Sequence, residues 1–282
     1  MSNIFLPPID FFSTDDVFKW YCNFLKEIEI LPLSESEIDY IDTNPYDSAV
    51  LKYYKYLDHD VENIGISEYF RLHFSDTFFQ SLDFFIEDGH NNTILDLGCG
   101  LGSQSIFFAL QGMHVIAIDI DKIALGIFRK RIILYENLLG FKLNIDIIEK
   151  NAFDFPLKSI DQIDAIYSMF AFNIMQPSSV LLDRLLEHTL DNCKICILDG
   201  NNSLLINFLT YFKRSDAWSP VQFEKELIKR GFVINSHYSG IAIPLRFWRG
   251  VKINFFLKIL NSAFKKTWYL SLSHQILATK NK

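Results

Sequence analysis

Two rhythms of hydrophobic and polar positions alternate along this chain, and the change of rhythm near Thr93 divides it. From there on, short β-branched runs alternate with stretches whose apolar residues recur three and four apart. That pattern indicates βαβ units and a parallel sheet. The runs predict strands at Thr93–Leu97, His114–Asp119, Leu143–Glu149, Asp164–Ser168, Lys194–Asp199, Phe232–His237 and Gln275–Thr279. The helical rhythm predicts Ser103–Gln111, Lys122–Leu139, Ser178–Leu190 and Val221–Arg230. Gly112, Gly140 and Gly231 stand where helices stop, and Pro177 stands where one starts. Residues 1–90 carry aromatics and acids in helix-like patterns such as Ile66–Ile86, without β alternation, and predict a helical cap. The α/β domain then spans 91–282, with a helical insertion over 244–267 between the last two strands.

Composition changes this picture in a few places. At 282 residues and 49% hydrophobic, the chain can bury a substantial core as one large domain with a cap. Met1–Phe12 has no basic start and is broken by Pro7 and Pro8, so no signal peptide is expected. No apolar run approaches the roughly 18 residues that span a bilayer. The four cysteines are too scattered for a disulfide scaffold, and the expected location is cytoplasmic. Cys193-x-x-Cys196 lies at a strand start, where residues three apart face opposite ways. With no second Cys/His pair it predicts packing and no metal site. The net charge of −7 is uneven: after Glu226 come ten positive residues and no acid, leaving −17 on the first 226. The basic end is expected to meet an anion or the protein's own acidic remainder.

The chemical signal is concentrated in Ile94-Leu95-Asp96-Leu97-Gly98-Cys99-Gly100-Leu101-Gly102-Ser103. An apolar strand ends in an acid and a glycine-rich turn, and a helix opens at once. Glycines allow close backbone approach to a ligand, and the helix N-terminus offers free N–H groups. Asp119 ends the second strand, seventeen residues after Gly102, where an acid accepts ribose hydroxyls in dinucleotide-type folds. Asn151-Ala152-Phe153-Asp154 follows the third strand, and Ser168-Met169-Phe170 the fourth, at the ligand-binding edge of open α/β sheets.

Residues 93 to about 200 thus resemble the class I S-adenosylmethionine-dependent methyltransferases. Asp96-x-Gly98-x-Gly100-x-Gly102 matches that family's first motif, Asp119 its ribose-binding acid, and Asn151-Ala152 the position beside the adenine amino group. The resemblance implies a seven-stranded Rossmann-like sheet with helices on both faces and an antiparallel last strand. It implies S-adenosyl-L-methionine as cofactor, held by Asp96, Gly98, Gly100, Gly102, Asp119, Ile120, Asn151, Ala152 and Ser168. A nicotinamide-binding domain would want glycine where Ser103 stands.

Two departures narrow the substrate. Amino-methyltransferases of nucleic acids usually carry Asn/Asp-Pro-Pro-aromatic where this chain has Ser168-Met169-Phe170-Ala171, so no nucleic-acid partner is expected. The histidine that many small-molecule members carry a few residues on is absent, since the run continues Phe172-Asn173-Ile174. His73 and His237 remain as candidate bases, because histidine titrates near neutrality. Arg71 is a candidate partner for the methionine carboxylate. Phe170, Arg246, Trp248 and Arg249 are candidates for the acceptor. If Val251–Lys266 is helical, Asn254, Lys258, Asn261 and Lys265 form one polar stripe opposite a wide apolar face. That helix is read either as a lid or as a peripheral membrane contact.

The expected reaction is methyl transfer to an O or N acceptor on a small or medium-sized hydrophobic molecule, such as a natural product or peptide. A carboxylate-bearing acceptor would need no base and could be oriented by Arg246 or Arg249. The alternatives are a membrane-associated lipid or quinone methyltransferase and a non-methylating user of the same fold, such as an aminopropyl transferase. For the last, Asp121 is the one supporting acid. Surplus aromatics, among them Phe70, Phe74, Phe78, Trp248, Phe255 and Phe256, predict a roof over the acceptor from the cap and the insertion. The sequence leaves the oligomeric state open.

Overall fold

Apolar runs too short for helices build a seven-stranded sheet in the computed structural model. It describes residues 4–9, 12–43, 69–86, 93–155, 163–187, 189–200, 218–239, 259, 262 and 273–281. The strands are β1 (Thr93–Leu97), β2 (His114–Asp119), β3 (Ile145–Glu149), β4 (Ile163–Met169), β5 (Thr189–Gly200), β6 (Phe232–Ser239) and β7 (Ser273–Lys280). Their order is β3-β2-β1-β4-β5-β7-β6, with β7 antiparallel to both neighbours. Chain order reverses between β1 and β4, and such switch points open a crevice at the carboxyl ends of the strands.

The helices are α1 (Thr14–Ile30), α2 (Glu35–Thr43), α3 (Asp76–Ile86), α4 (Ser103–Leu110), α5 (Lys122–Leu139), α6 (Ser178–Leu186) and α7 (Pro220–Lys229). A π-helical turn, Arg71–Ser75, leads into α3. Local signals set their ends. Ser13 and Asp16 close a capping box on α1. The Asp121 carboxylate accepts from the Ile123 and Ala124 amides to start α5, and Gly140 stops it at φ 76°.

Two cores follow from the alternation along the strands. On one face, Ile94, Val115, Ala117, Ala165, Tyr167 and Cys196 pack against α1, α3, α4 and α5. On the other, Leu95, Leu97, Ile116, Ile118, Cys193 and Ile195 pack against α6, α7 and Trp218. Cys193 and Cys196 therefore fall in opposite cores. Burial pushes both thiols up to about 12, as expected of unreactive packing cysteines.

Element boundaries differ from the sequence reading in several places. β3 begins at Ile145, because the Leu143 amide donates to Glu136 and the Asn144 carbonyl accepts from Val115. α6 ends at Leu186. β5 begins at Thr189, five residues before the predicted Lys194, its polar first residues pairing with β4 across a register shift. The N-terminal helices form a full layer on one face of the sheet. Phe70 and Phe78, expected in a pocket roof, lie fully buried in that layer. The Phe78 ring meets Phe107 at 5.4 Å, Phe108 at 5.3 Å and Tyr167 at 6.0 Å, all edge-on. The insertion at 244–267 lies outside the described residues except for Ile259 and Ser262.

Candidate functional site

The turn after β1 is pinned to β2 by amides of Gly98 and Cys99, which donate to the Ile118 carbonyl at 2.8 and 3.2 Å. It then folds back, with the Gly102 amide donating to Cys99 at 2.9 Å, and α4 begins. Gly102 sits at φ 74°, and a Cβ there would lie 2.1 Å from the Phe128 ring. Gly100, at φ 51°, has nothing within 4 Å of where a Cβ would be. One glycine is thus demanded by packing, and the other faces open space. No side chain caps the first turn of α4, so its amides remain available to a ligand.

Gly100 is also among the residues lining a cavity of about 740 Å³ at the carboxyl ends of β1, β2 and β4. Asp119 reaches into it from β2. One carboxylate oxygen accepts from the Gly100 amide at 2.8 Å and the other from the Asp121 amide at 2.9 Å. Each oxygen keeps a lone pair, enough for a vicinal diol. Ile120, Asn151, Ala152 and Phe153 continue this wall. The Asn151 side-chain oxygen accepts from the Phe153 amide at 3.0 Å, which leaves its amino group for a ligand acceptor. Asp96 lines the floor and is 2% exposed. Burial drives its carboxyl up to about 7, with Asp119 adding repulsion, against a 2.5 Å bond donated by the Ser105 hydroxyl. A bound cation would return it to the ionised form.

The remaining wall is apolar: Met169, Phe170, Ala171, Ile174 and Met175 from the loop after β4, and Phe74 from the N-terminal layer. Phe170 has a left-handed backbone, φ 57°, held by its amide donating to Leu198 at 2.7 Å. Its ring meets Phe74 at 6.1 Å. Strained residues of this kind cluster at functional sites. Tyr21, Tyr40 and Gln104 also line the cavity. The Gln104 amide donates to Tyr21 at 2.8 Å, and the Tyr40 hydroxyl donates to Asp121 at 3.0 Å. Burial raises the Tyr21 and Tyr167 phenols well above their ordinary range, so both stay protonated.

The structure gathers Asp96, Gly98, Gly100, Gly102, Asp119, Ile120, Asn151, Ala152 and Phe170 around one cavity. It does not gather the other candidates. The Ser168 side chain is fully buried and donates to the Leu97 carbonyl at 3.1 Å, joining β4 to β1. Arg71 pairs with Asp15 and lies over the Phe18 ring at 4.7 Å, and it is not among the lining residues. His237 is on β6, bonded to Glu224 at 2.5 Å, and does not line the cavity. His73 is in the π-helical turn, with its side chain outside the described residues, as are Arg246, Trp248 and Arg249. Among the described residues no group of histidines, cysteines and acids could hold a metal ion. Sequence reasoning missed Tyr21, Tyr40, Gln104, Ile174, Met175 and Gln176. The signal for Gln104 was its place in the first turn of α4; the others carry no motif.

The geometry therefore fits an adenosyl ligand: a diol acceptor, a glycine-lined approach, an uncapped helix start and a polar turn across the cavity. Comparisons with known proteins agree. Residues 94–192 match a family model described as a methyltransferase domain. No curated protein sequence matches the chain. The fold is similar to that of magnesium protoporphyrin IX methyltransferase from Synechocystis PCC 6803, solved with bound SAH, at 14% identity and a TM-score of 0.56. That alignment covers 86% of this chain and 97% of the other. It is also similar to a Listeria monocytogenes protein assigned as an S-adenosylmethionine dependent methyltransferase, at 15% identity and a TM-score of 0.54, covering 73% and 98%. Residues 94–192 thus resemble a methyltransferase domain, set in a sheet with the strand order of the class I methyltransferase fold.

Proposed function

We propose that this enzyme transfers the methyl group of S-adenosylmethionine to an oxygen or nitrogen on a small or medium-sized hydrophobic acceptor. The observation that carries this reading is the continuity of one cavity, polar from Asp96 to Asn151 and apolar from Phe74 to Met175. In the proposal Asp119 binds the ribose hydroxyls, Asn151 and Ala152 meet the adenine edge with Ile120 on its face, and Gly98, Gly100 and Gly102 admit the methionine end. The cofactor supplies an electrophilic methyl on a cationic sulfur. The protein's part is to hold the acceptor in line with it and to exclude water. Phe170, Met169 and Met175 are suited to both tasks.

Among the described lining residues there is no histidine, and the buried phenols stay protonated. This supports an acceptor atom that needs no deprotonation, a carboxylate oxygen or a neutral amine. The absence of Asn/Asp-Pro-Pro at Ser168–Ala171 supports a partner other than nucleic acid. The test is incubation with methyl-labelled cofactor and cell extract fractionated by polarity. Label is expected in apolar small molecules or peptides, with one equivalent of S-adenosylhomocysteine released. Label confined to nucleic acid, or no label in any fraction, would overturn the assignment.

A further inference from the structure

We infer that α1 positions the glycine loop through Arg131, so that Trp20, Glu27 and Arg131 govern cofactor affinity from beneath the loop without touching the ligand. The inference rests on reading the cavity as the cofactor site. Arg131 lies on α5 and is 1% exposed. Its Nη1 donates to the Leu101 carbonyl at 2.6 Å and to the Ser103 hydroxyl at 2.9 Å. Its Nε and Nη2 donate to the two carboxylate oxygens of Glu27, at 2.5 and 3.3 Å. Leu101 and Ser103 flank Gly102, and all three line the cavity. From α1 the Trp20 indole N–H donates to the Ser103 carbonyl at 3.0 Å.

A guanidinium does not lose its proton in a protein, so a buried one must be neutralised where it stands. Glu27, fully buried on α1, is the acid bonded to it, and the Tyr135 hydroxyl donates to that acid at 2.5 Å. The guanidinium is planar and its donors form a fixed fork, so seating one edge on Glu27 fixes where the other edge points. That other edge holds two backbone-flanking groups of a loop whose three glycines leave it conformationally free. Ordering such a loop before the ligand arrives removes that cost from binding. The positioning residues therefore act on affinity, Arg131 from α5 downstream of the motif and Trp20 and Glu27 from α1, with Trp20 83 residues upstream of Ser103.

The test compares wild type with Arg131→Lys, Trp20→Phe and Tyr135→Phe by calorimetry with S-adenosylhomocysteine, alongside melting temperature. Lysine keeps the charge but lacks the fork, and Trp20→Phe removes the bond to Ser103 together with part of the packing on Phe107 and Tyr135. Both should weaken binding about tenfold, the equivalent of one charge-assisted bond at most. Tyr135→Phe removes one bond to Glu27 but keeps the Glu27–Arg131 pair and both bonds to the loop; it should lower the melting temperature and leave affinity within about twofold. With saturating cofactor the Trp20→Phe enzyme should regain wild-type kcat, confining the defect to KM for the cofactor. Trp20→Phe carries the same readout if Arg131→Lys does not fold. Wild-type affinity in both loop variants, or affinity that falls in step with melting temperature across all three, overturns the positioning role alone. A wild-type protein that binds no S-adenosylhomocysteine overturns the cofactor site, and the positioning role with it.

Discussion

Gly100 and Gly102 look alike in the motif and differ in what they do. At Gly102 a methyl group would enter the Phe128 ring, so Gly102→Ala should destabilise the fold strongly, at the upper end of the roughly 1–3 kcal/mol that overpacking costs. At Gly100 a methyl group meets only open space, so Gly100→Ala should cost the ~1–2 kcal/mol of a left-handed alanine and still fold. Because Gly100 lines the cavity, the added methyl group should abolish cofactor binding. Melting curves and calorimetry on both variants check this, and a Gly100→Ala protein with full affinity would contradict it. Asp119 was legible in the sequence because its distance from the glycines is fixed by one βαβ unit. Tyr40 and Met175 were not, because nothing in a linear pattern says which side chain from a distant helix or a loop bends into a cavity. Ser168, expected at the cofactor, instead turns its side chain into the sheet to satisfy a strand carbonyl.

At the level of elements, the parallel strands were legible because strands buried on both faces read as unbroken apolar runs. β5 was underestimated because its first residues are polar and pair only past a register shift. The pair β6–β7 holds a further consequence. His274 on β7 is fully buried, without a hydrogen-bond partner among the described residues at either ring nitrogen, and its ring lies 5.7 Å from that of His237. Burial lowers its pKa from 6.5 to about 3, with His237 adding repulsion. Folded protein then keeps His274 neutral where the unfolded chain would take up a proton. The resulting stability is present above pH 6.5 and is lost as pH falls toward 3. Relative to His274→Leu, the wild type should lose about 1.4 kcal/mol per pH unit between pH 6 and 5. Urea unfolding at the two pH values measures this, and a constant difference between the proteins would contradict it.

Across the whole molecule, the uneven charge is partly answered within the chain. Arg230, near the start of the basic end, pairs with Asp183 and Glu226. No helix among the described residues is long and apolar enough to cross a membrane. Among the described residues that suggested a greasy roof, Phe70 and Phe78 are buried between the N-terminal helices and the sheet, and Phe74 stands in the cavity wall. Amphipathic periodicity marks that a helix buries a face but not which surface receives it, which is why the layer read as a cap. The central claim is that this cavity is a cofactor site organised by Asp119, and the most direct measurement is calorimetric titration of wild type and Asp119→Ala with S-adenosylhomocysteine. Wild type should bind at one site per chain. The variant should bind at least about tenfold more weakly, the loss of one hydrogen bond to a charged group. Equal affinity in the two proteins, or no binding to either, would contradict the account.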